Sequence, residues 1–174
     1  MCRLRGADDA GAGDGGDQVW RHRGDRRGDR PGACRPRSGP TVAAPEQVEG
    51  VDGYDAVVAG SAVYAGHWLK PARELVGRLG AALADRPVWL FSSGPVGDPP
   101  KPDEDPVDVA ELLTATGARE HRVFAGRLVR RRLRFPERAV VSALRVPDGD
   151  FRDWSEISRW AAGIADTLRA GDRV

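Results

Sequence analysis

At 174 residues and a net charge of +1, the chain has the length of one ordinary domain and no overall charge to draw it to nucleic acid or an anionic surface. Its two cysteines, Cys2 and Cys34, lack metal-ligand spacing, so a disulfide framework and a metal scaffold are both excluded as expectations. With no apolar run of membrane-spanning length and no secretory h-region, the expected setting is the reduced cytoplasm.

The composition breaks near residue 40. The first forty residues hold 9 of the 22 glycines, 9 arginines and 6 aspartates, and no lysine, glutamate, isoleucine or phenylalanine. Leu4, Val19 and Trp20 stand isolated, so residues 1–40 are predicted to be disordered. Arginine-glycine clustering over residues 21–30 is offset by interleaved aspartates. The Arg-Gly-Asp tripeptides at Arg23 and Arg27 are what such a composition produces by chance.

Another reading has more content. With only Lys70 and Lys101 as lysines among abundant alanine, glycine, arginine and proline, the gene is expected to be GC-rich. Out-of-frame translation of such a gene yields tracts of this kind. Moving each codon one nucleotide forward from Asp9 permits M-P-V-L-V-T-A-A-T-[KR]-Y-G-A-T-A-E-I-A-A-A-I-G. The glycine derived from Trp20 and the basic residue derived from Gln18 are not free choices in that string. It describes a buried strand, a Thr/Gly loop suited to cradling phosphate, and the start of a helix. The expectation is that residues from about 9 to 40 are frameshifted, and that residues 41–174 form a domain lacking its first strand.

Beyond Thr41 the chain is an ordinary α/β sequence. Thr41-Val42-Ala43-Ala44 reads as a strand end and residues 45–53 as a polar connection. Asp55-Ala56-Val57-Val58-Ala59 has no apolar/polar alternation, which suits a strand buried on both faces of a parallel sheet. Lys70-Pro71 starts a helix whose apolar face is Ala72, Leu75, Val76, Leu79 and Leu83, and Arg86-Pro87 stops it. Val88-Trp89-Leu90-Phe91 is a second buried strand. After a Pro/Asp-rich loop, Asp105-Pro106 reads as the cap of a helix through Val109, Leu112 and Leu113, closed by Gly117. Arg122-Val123-Phe124-Ala125-Gly126 is a third strand, followed by a basic segment with Arg127 and Arg138 at its ends and a short apolar stretch over residues 139–146. Asp153-Trp154-Ser155-Glu156 has capping-box form before a helix burying Ile157, Trp160, Ala161 and Ile164.

This alternation predicts an α/β fold, a doubly wound parallel sheet in three αβα layers. Right-handed crossovers place the strand ends on one rim, where such folds bind ligands. Ser61, Ala62, Val63, Tyr64, Ala65, Gly66, His67 and Trp68 follow the first strand. Ser92, Ser93, Gly94 and Pro95 follow the second. Hydroxyls, backbone N–H groups near glycine and aromatic faces suit a flat heteroaromatic ligand with polar edges. No metal site, no G-x-S-x-G elbow and no G-x-x-x-x-G-K-[ST] loop is present, and no catalytic residue stands out.

At G-Y-D-A-V-V-A-G-S-A-V-Y-A-G-H-W and P-V-W-L-F-S-S-G-P-V-G the chain resembles the flavodoxin family, closest to the branch of menaquinone-dependent protoporphyrinogen oxidases. The resemblance runs from about Gly53 to Leu168, including the basic insertion R-L-V-R-R-R-L-R-F and the final D-W helix. It implies FMN as cofactor, with the loop over residues 61–68 lining one face of the isoalloxazine ring and the loop over 92–95 forming the second flavin loop. The family's T/S-x-x-G-x-T phosphate loop has no counterpart in the chain as written, which weakens the expected FMN affinity. The expected activity is porphyrinogen oxidation with a quinone acceptor in heme biosynthesis, with peripheral membrane contact through the Arg127 to Arg138 segment. The alternatives are a flavodoxin-type electron carrier without its own substrate, or a truncated product that cannot hold FMN.

Overall fold

Two unbroken apolar runs set the middle of the sheet in the computed structural model, which describes residues 18–23, 40–94, 96, 105–129 and 148–171. In chain order the described strands are β1 (Gln18–Arg23), β2 (Pro40–Ala43), β3 (Tyr54–Tyr64), β4 (His67–Trp68), β5 (Val88–Ser93), β6 (Glu120–Phe124), β7 (Arg127–Leu128) and β8 (Gly149–Asp150). The described α-helices are α1 (Lys70–Ala84), α2 (Val109–Thr116) and α3 (Trp154–Gly171), with a short 3-10 turn at Pro45–Gln47. The main sheet has the order β2-β1-β3-β5-β6, with β4 paired to the far end of β3.

β3, β5 and β6 are parallel, as the apolar runs predict, with Val57 opposite Val88 and Trp89 opposite Glu120. α1 and α2 cover one face, packing Leu75, Val76, Leu83 and Leu112 on Val57, Ala59, Val88 and Leu90. α3 covers the other, placing Ile164, Trp160 and Leu168 against Ala56, Val58 and Trp89. The side chains of β3 and β5 therefore alternate between two cores, and both must be apolar. This is the expected three-layer αβα domain.

The helix ends follow their sequence signals. Asp153 caps α3 by accepting the N–H groups of Ser155 at 2.8 Å and Glu156 at 3.1 Å. Gly117 ends α2 at φ 61°, in the left-handed region. α2 itself begins later than Asp105-Pro106 indicates, with Asp108 as its first flanking residue, because a turn at Val107 and Asp108 intervenes. The supposedly polar connection over residues 45–53 carries two core residues, Val48 and Val51. Arg78 donates to the carbonyls of Pro45 and Val48, and Arg86 to those of Val51 and Tyr54, so two arginines of the α1 region tie this segment down.

One strand departs from the expected pattern. Residues 18–23, within the stretch expected to be disordered, instead form β1, which lies beside β3 and antiparallel to it, with Gln18 opposite Gly60 and Arg23 opposite Tyr54. It is also antiparallel to β2. β1 therefore runs against β2, β3, β5 and β6, and the sheet is mixed rather than wholly parallel. The remaining expectations for residues 1–40, the Pro/Asp-rich loop, the apolar stretch 139–146 and the basic segment from residue 130 onward lie outside the described residues. Among the described residues, no helix is long and apolar enough to cross a membrane.

Gly60 carries a specific packing demand. A Cβ there would meet the Phe91 ring at 2.1 to 2.5 Å. That ring is held edge-on by Trp160, 6.1 Å away, and by Phe124 at 6.2 Å. Gly60→Ala is expected to destabilise the domain by about 1–3 kcal/mol, the usual scale for overpacking. The check is a lower urea midpoint with an unchanged slope.

Candidate functional site at the strand-end rim

β3 does not stop at Ala59. It continues to Tyr64 and returns through a two-residue turn into β4, pairing Tyr64 with His67 and Val63 with Trp68. Both turn residues have positive φ, 50° at Ala65 and 81° at Gly66. That is the geometry of a type I′ hairpin, which matches the twist of its flanking strands. Glycine adopts it freely, whereas an alanine there costs about 1–2 kcal/mol. The expected loop is thus a hairpin tip, raised above the rim.

Inside the hairpin, Trp68 is only 1% exposed. Its indole Nε1–H donates to Ser92 Oγ at 2.7 Å, and Ser92 Oγ lies 2.8 Å from His121 Nε2. His121 Nδ1 in turn lies 3.7 Å from a carboxylate oxygen of Asp105. Burial pushes the His121 pKa below its ordinary value, and the negative charge of Asp105 opposes that push. Ser61 is enclosed as well: its hydroxyl donates to the Ala62 carbonyl at 2.7 Å and accepts the Leu69 N–H at 2.9 Å. These groups brace the rim from below and present no open hydroxyl to a ligand.

Outside the hairpin, the residues just before α2 form a clasp. The Val107 N–H donates to the Gly66 carbonyl at 2.8 Å. Asp108 accepts the Trp68 N–H at 2.9 Å with one oxygen and lies 2.7 Å from His67 Nδ1 with the other. Burial works against ionisation of Asp108, but the hydrogen bonds from His67 and Trp68, with the attraction of His67 and Arg73, hold its pKa below the ordinary value. An ionised carboxylate only accepts, so Nδ1 carries the His67 proton facing it. Asp108 and His121 escaped the sequence reading because their partners lie tens of residues away and no local spacing marks them.

The second loop lies alongside. An added Cβ on Gly94 would meet Val63 at 2.9 Å, and one on Gly126 would lie 3.6 Å from Ser93 Oγ. The Gly94 N–H donates to the Phe124 carbonyl. The ends of β3, β5 and β6 therefore converge. Of the expected site residues, Tyr64, Ala65 and His67 are exposed at the hairpin tip, Ala62, Val63, Gly66, Ser93 and Gly94 are half-buried, and Ser61, Trp68 and Ser92 are enclosed. Pro95 lies outside the described residues.

A flat ring at this rim would meet the exposed Tyr64 of the hairpin tip and the half-buried residues Val63, Ser93 and Gly94. The end of β1 lies away from it. Because β1 is reversed, its C-terminal residue Arg23 lies beside Tyr54, at the start of β3 and so at the opposite rim. A loop leaving β1 in the chain direction begins on the wrong side of the sheet to cradle a phosphate.

The sequence pattern of the flavodoxin domain matches residues 39–155, about two thirds of the chain, and the chain belongs to that family. The match starts where the composition changes. Neither the curated proteins nor the solved structures contain a match to the chain.

Two outcomes follow from the hairpin. Ala65→Asn, which suits the left-handed turn position, is expected to stabilise the domain by about 1 kcal/mol, read as a raised midpoint of thermal or urea unfolding. Asp108→Ala leaves the Trp68 N–H without its acceptor and is expected to cost about 1–3 kcal/mol. Faster amide exchange at Trp68 than at Leu90 would locate that loss in the hairpin.

Proposed function

We propose that this chain is an FMN-dependent oxidoreductase acting by two-electron oxidation of a porphyrinogen, with a quinone as acceptor. The convergence of the β3–β4 hairpin with the end of β5, with Ala62 paired to Ser93, Val63 against Gly94 and Tyr64 exposed at the hairpin tip, is the observation that carries the reading. Such an arrangement accommodates a planar ring while the buried serines stay committed to the scaffold. A flavin held there would supply the redox chemistry, and the protein would orient the ring and limit its contact with water. The porphyrinogen and quinone rest on the motif resemblance and on the near-neutral charge, since carriers of this fold are usually strongly acidic. The basic segment beginning at Arg127 would draw propionates or anionic headgroups and bring the rim to a membrane-dissolved quinone.

The direction of β1 favours a second reading for the chain as translated. With the end of β1 at the opposite rim, a loop leaving it does not start where the family's phosphate cradle follows its first strand. This agrees with the reading of residues from about 9 to 40 as out of frame, since the shifted frame permits a Thr/Gly loop after a strand.

One titration tests both. The chain as written is expected to bind riboflavin and FMN with affinities within about threefold of each other. The frame-restored chain is expected to prefer FMN by roughly a hundredfold, the scale of two or more charge-assisted hydrogen bonds. Flavin fluorescence quenching reads both constants. A strong FMN preference in the chain as written would overturn the second reading, and no flavin bound by either chain would overturn the first. Turnover of protoporphyrinogen with a menaquinone analogue, by the frame-restored chain, distinguishes an oxidase from a carrier.

A further inference from the structure

The hydrogen-bond chain through Trp68, Ser92 and His121 crosses three strands, and its proton order can be worked out. An indole N–H only donates, so Ser92 Oγ is its acceptor. With the imidazole neutral and its proton on Nδ1, facing Asp105, His121 Nε2 accepts the Ser92 hydroxyl proton at 2.8 Å, and every donor in this hydrogen-bond chain has an acceptor. The Asp105 carboxylate is exposed, whereas the His121 side chain is 6% exposed. Asp105 is the one acidic group within 4.0 Å of the ring among the described residues. The flanking Glu120 and Arg122 engage Trp160 and Glu156 on the α3 face, away from it.

We propose that His121 is a positioning residue for the hairpin: in its neutral form it fixes the Ser92 hydroxyl, which fixes the Trp68 indole and thereby the height and register of the β3–β4 tip, and its protonation releases them. A proton on Nε2 turns that nitrogen from acceptor to donor. The Ser92 oxygen can take that N–H on its second lone pair, beside the Trp68 N–H, but its own hydroxyl proton then loses its acceptor. The loss occurs at a site closed to water, where the partner is not replaced. The consequence for ligand binding rests on the reading of the hairpin as lining the flavin ring.

The sign of the pH effect follows from burial. The folded-state pKa of His121 lies below the ordinary value of 6.5. Above that value the imidazole is neutral in folded and unfolded chains alike, so it contributes no pH dependence. As the pH falls below it, the unfolded chain takes up the proton first, and stability declines until the folded pKa is reached. Depressed carboxylates such as Asp108 act in the opposite sense, adding stability above the unfolded carboxylate range, and that contribution is lost only at more acidic pH.

The test follows the Trp68 indole N–H resonance of the full chain, assigned by its absence in Trp68→Phe, from about pH 8 to about pH 5. Because His67 is on the same hairpin, the series is run in a His67→Gln background. The expected result is a slowly exchanging indole proton above pH 7 that shifts and exchanges faster on acidification, with a midpoint below 6.5. His121→Gln, whose side-chain carbonyl can replace Nε2 as acceptor, is expected to keep the indole shift and lose its pH dependence. His121→Leu is expected to move the resonance and raise its exchange roughly tenfold at all pH values, the scale of one net hydrogen bond. A pH-independent indole in the parent chain, or a His121→Gln chain that titrates like its parent, overturns the proposal, and neither outcome depends on His121→Leu folding. Riboflavin affinity is read in parallel. If the indole behaves as expected while no flavin binds, positioning by His121 stands and the flavin reading fails. If affinity falls on acidification in the parent but not in His121→Gln, both stand.

Discussion

The Trp68 indole is almost entirely enclosed, yet it belongs to a strand of two residues with only two pairs in its ladder. So short a strand has little cohesion of its own. It is held because the side chain is buried in the core cluster beneath α1 that also holds Ala72, Leu75 and Leu90, and because its single polar atom finds an acceptor there. That acceptor, Ser92, is itself fully buried and tolerable only because Trp68 and His121 engage it. Each of the three polar groups is a liability alone, and the set is stable because its donors and acceptors match. From the outside, Asp108 fastens the same hairpin to the turn before α2. Much of the geometry of the ligand rim derives from this two-sided grip on one tryptophan.

Local order was legible wherever a period or a cap carried it. The spacing of Ala72, Leu75, Val76 and Leu83 marks α1, and the Asp153 cap marks the start of α3, because both are decided within a few residues. The unbroken run at Val57, Val58 and Ala59 marks a strand with two covered faces. The same reasoning misplaced the end of β3. Gly60, Ser61 and Ala62 have weak strand propensity, so the chain reads as leaving the sheet there. Their reason for being small lies in other elements: Gly60 makes room for the Phe91 ring, and Ser61 supplies an acceptor to Leu69. Tertiary packing outweighed propensity, as it commonly does in strands. The braces of the site, Asp108 and His121, were illegible for the same reason. Their roles are contacts between distant segments.

The reversed β1 has a physical explanation in what specifies strand direction. The edge of β3 opposite β5 offers unpaired backbone groups beside a buried apolar strand, and pairing them is favourable in either sense. Direction is ordinarily imposed by the connection: a parallel neighbour requires a crossover, usually with an amphipathic helix packed on the sheet. Between β1 and β2 the sequence reads G-D-R-R-G-D-R-P-G-A-C-R-P-R-S-G, with no apolar periodicity to encode that helix. Without it, nothing in the sequence demands a parallel β1, and an antiparallel strand satisfies the same backbone groups.

The fold and the site therefore depend on different parts of the chain. β3, β5, β6 and the described helices bury two cores whose described members all lie beyond Pro40, and the family match covers residues 39–155. A parallel sheet gathers its ligand loops at one rim only if every contributing strand points the same way. Turning one strand around leaves the sheet paired, but puts the carboxyl end of that strand at the opposite rim. The backbone that converges at the ligand-binding rim of such folds then comes from β3, β4 and β5, and the end of β1 lies elsewhere. A domain of this construction can keep its family's shape with one strand reversed, because the interactions that determine shape are not those that bind charge.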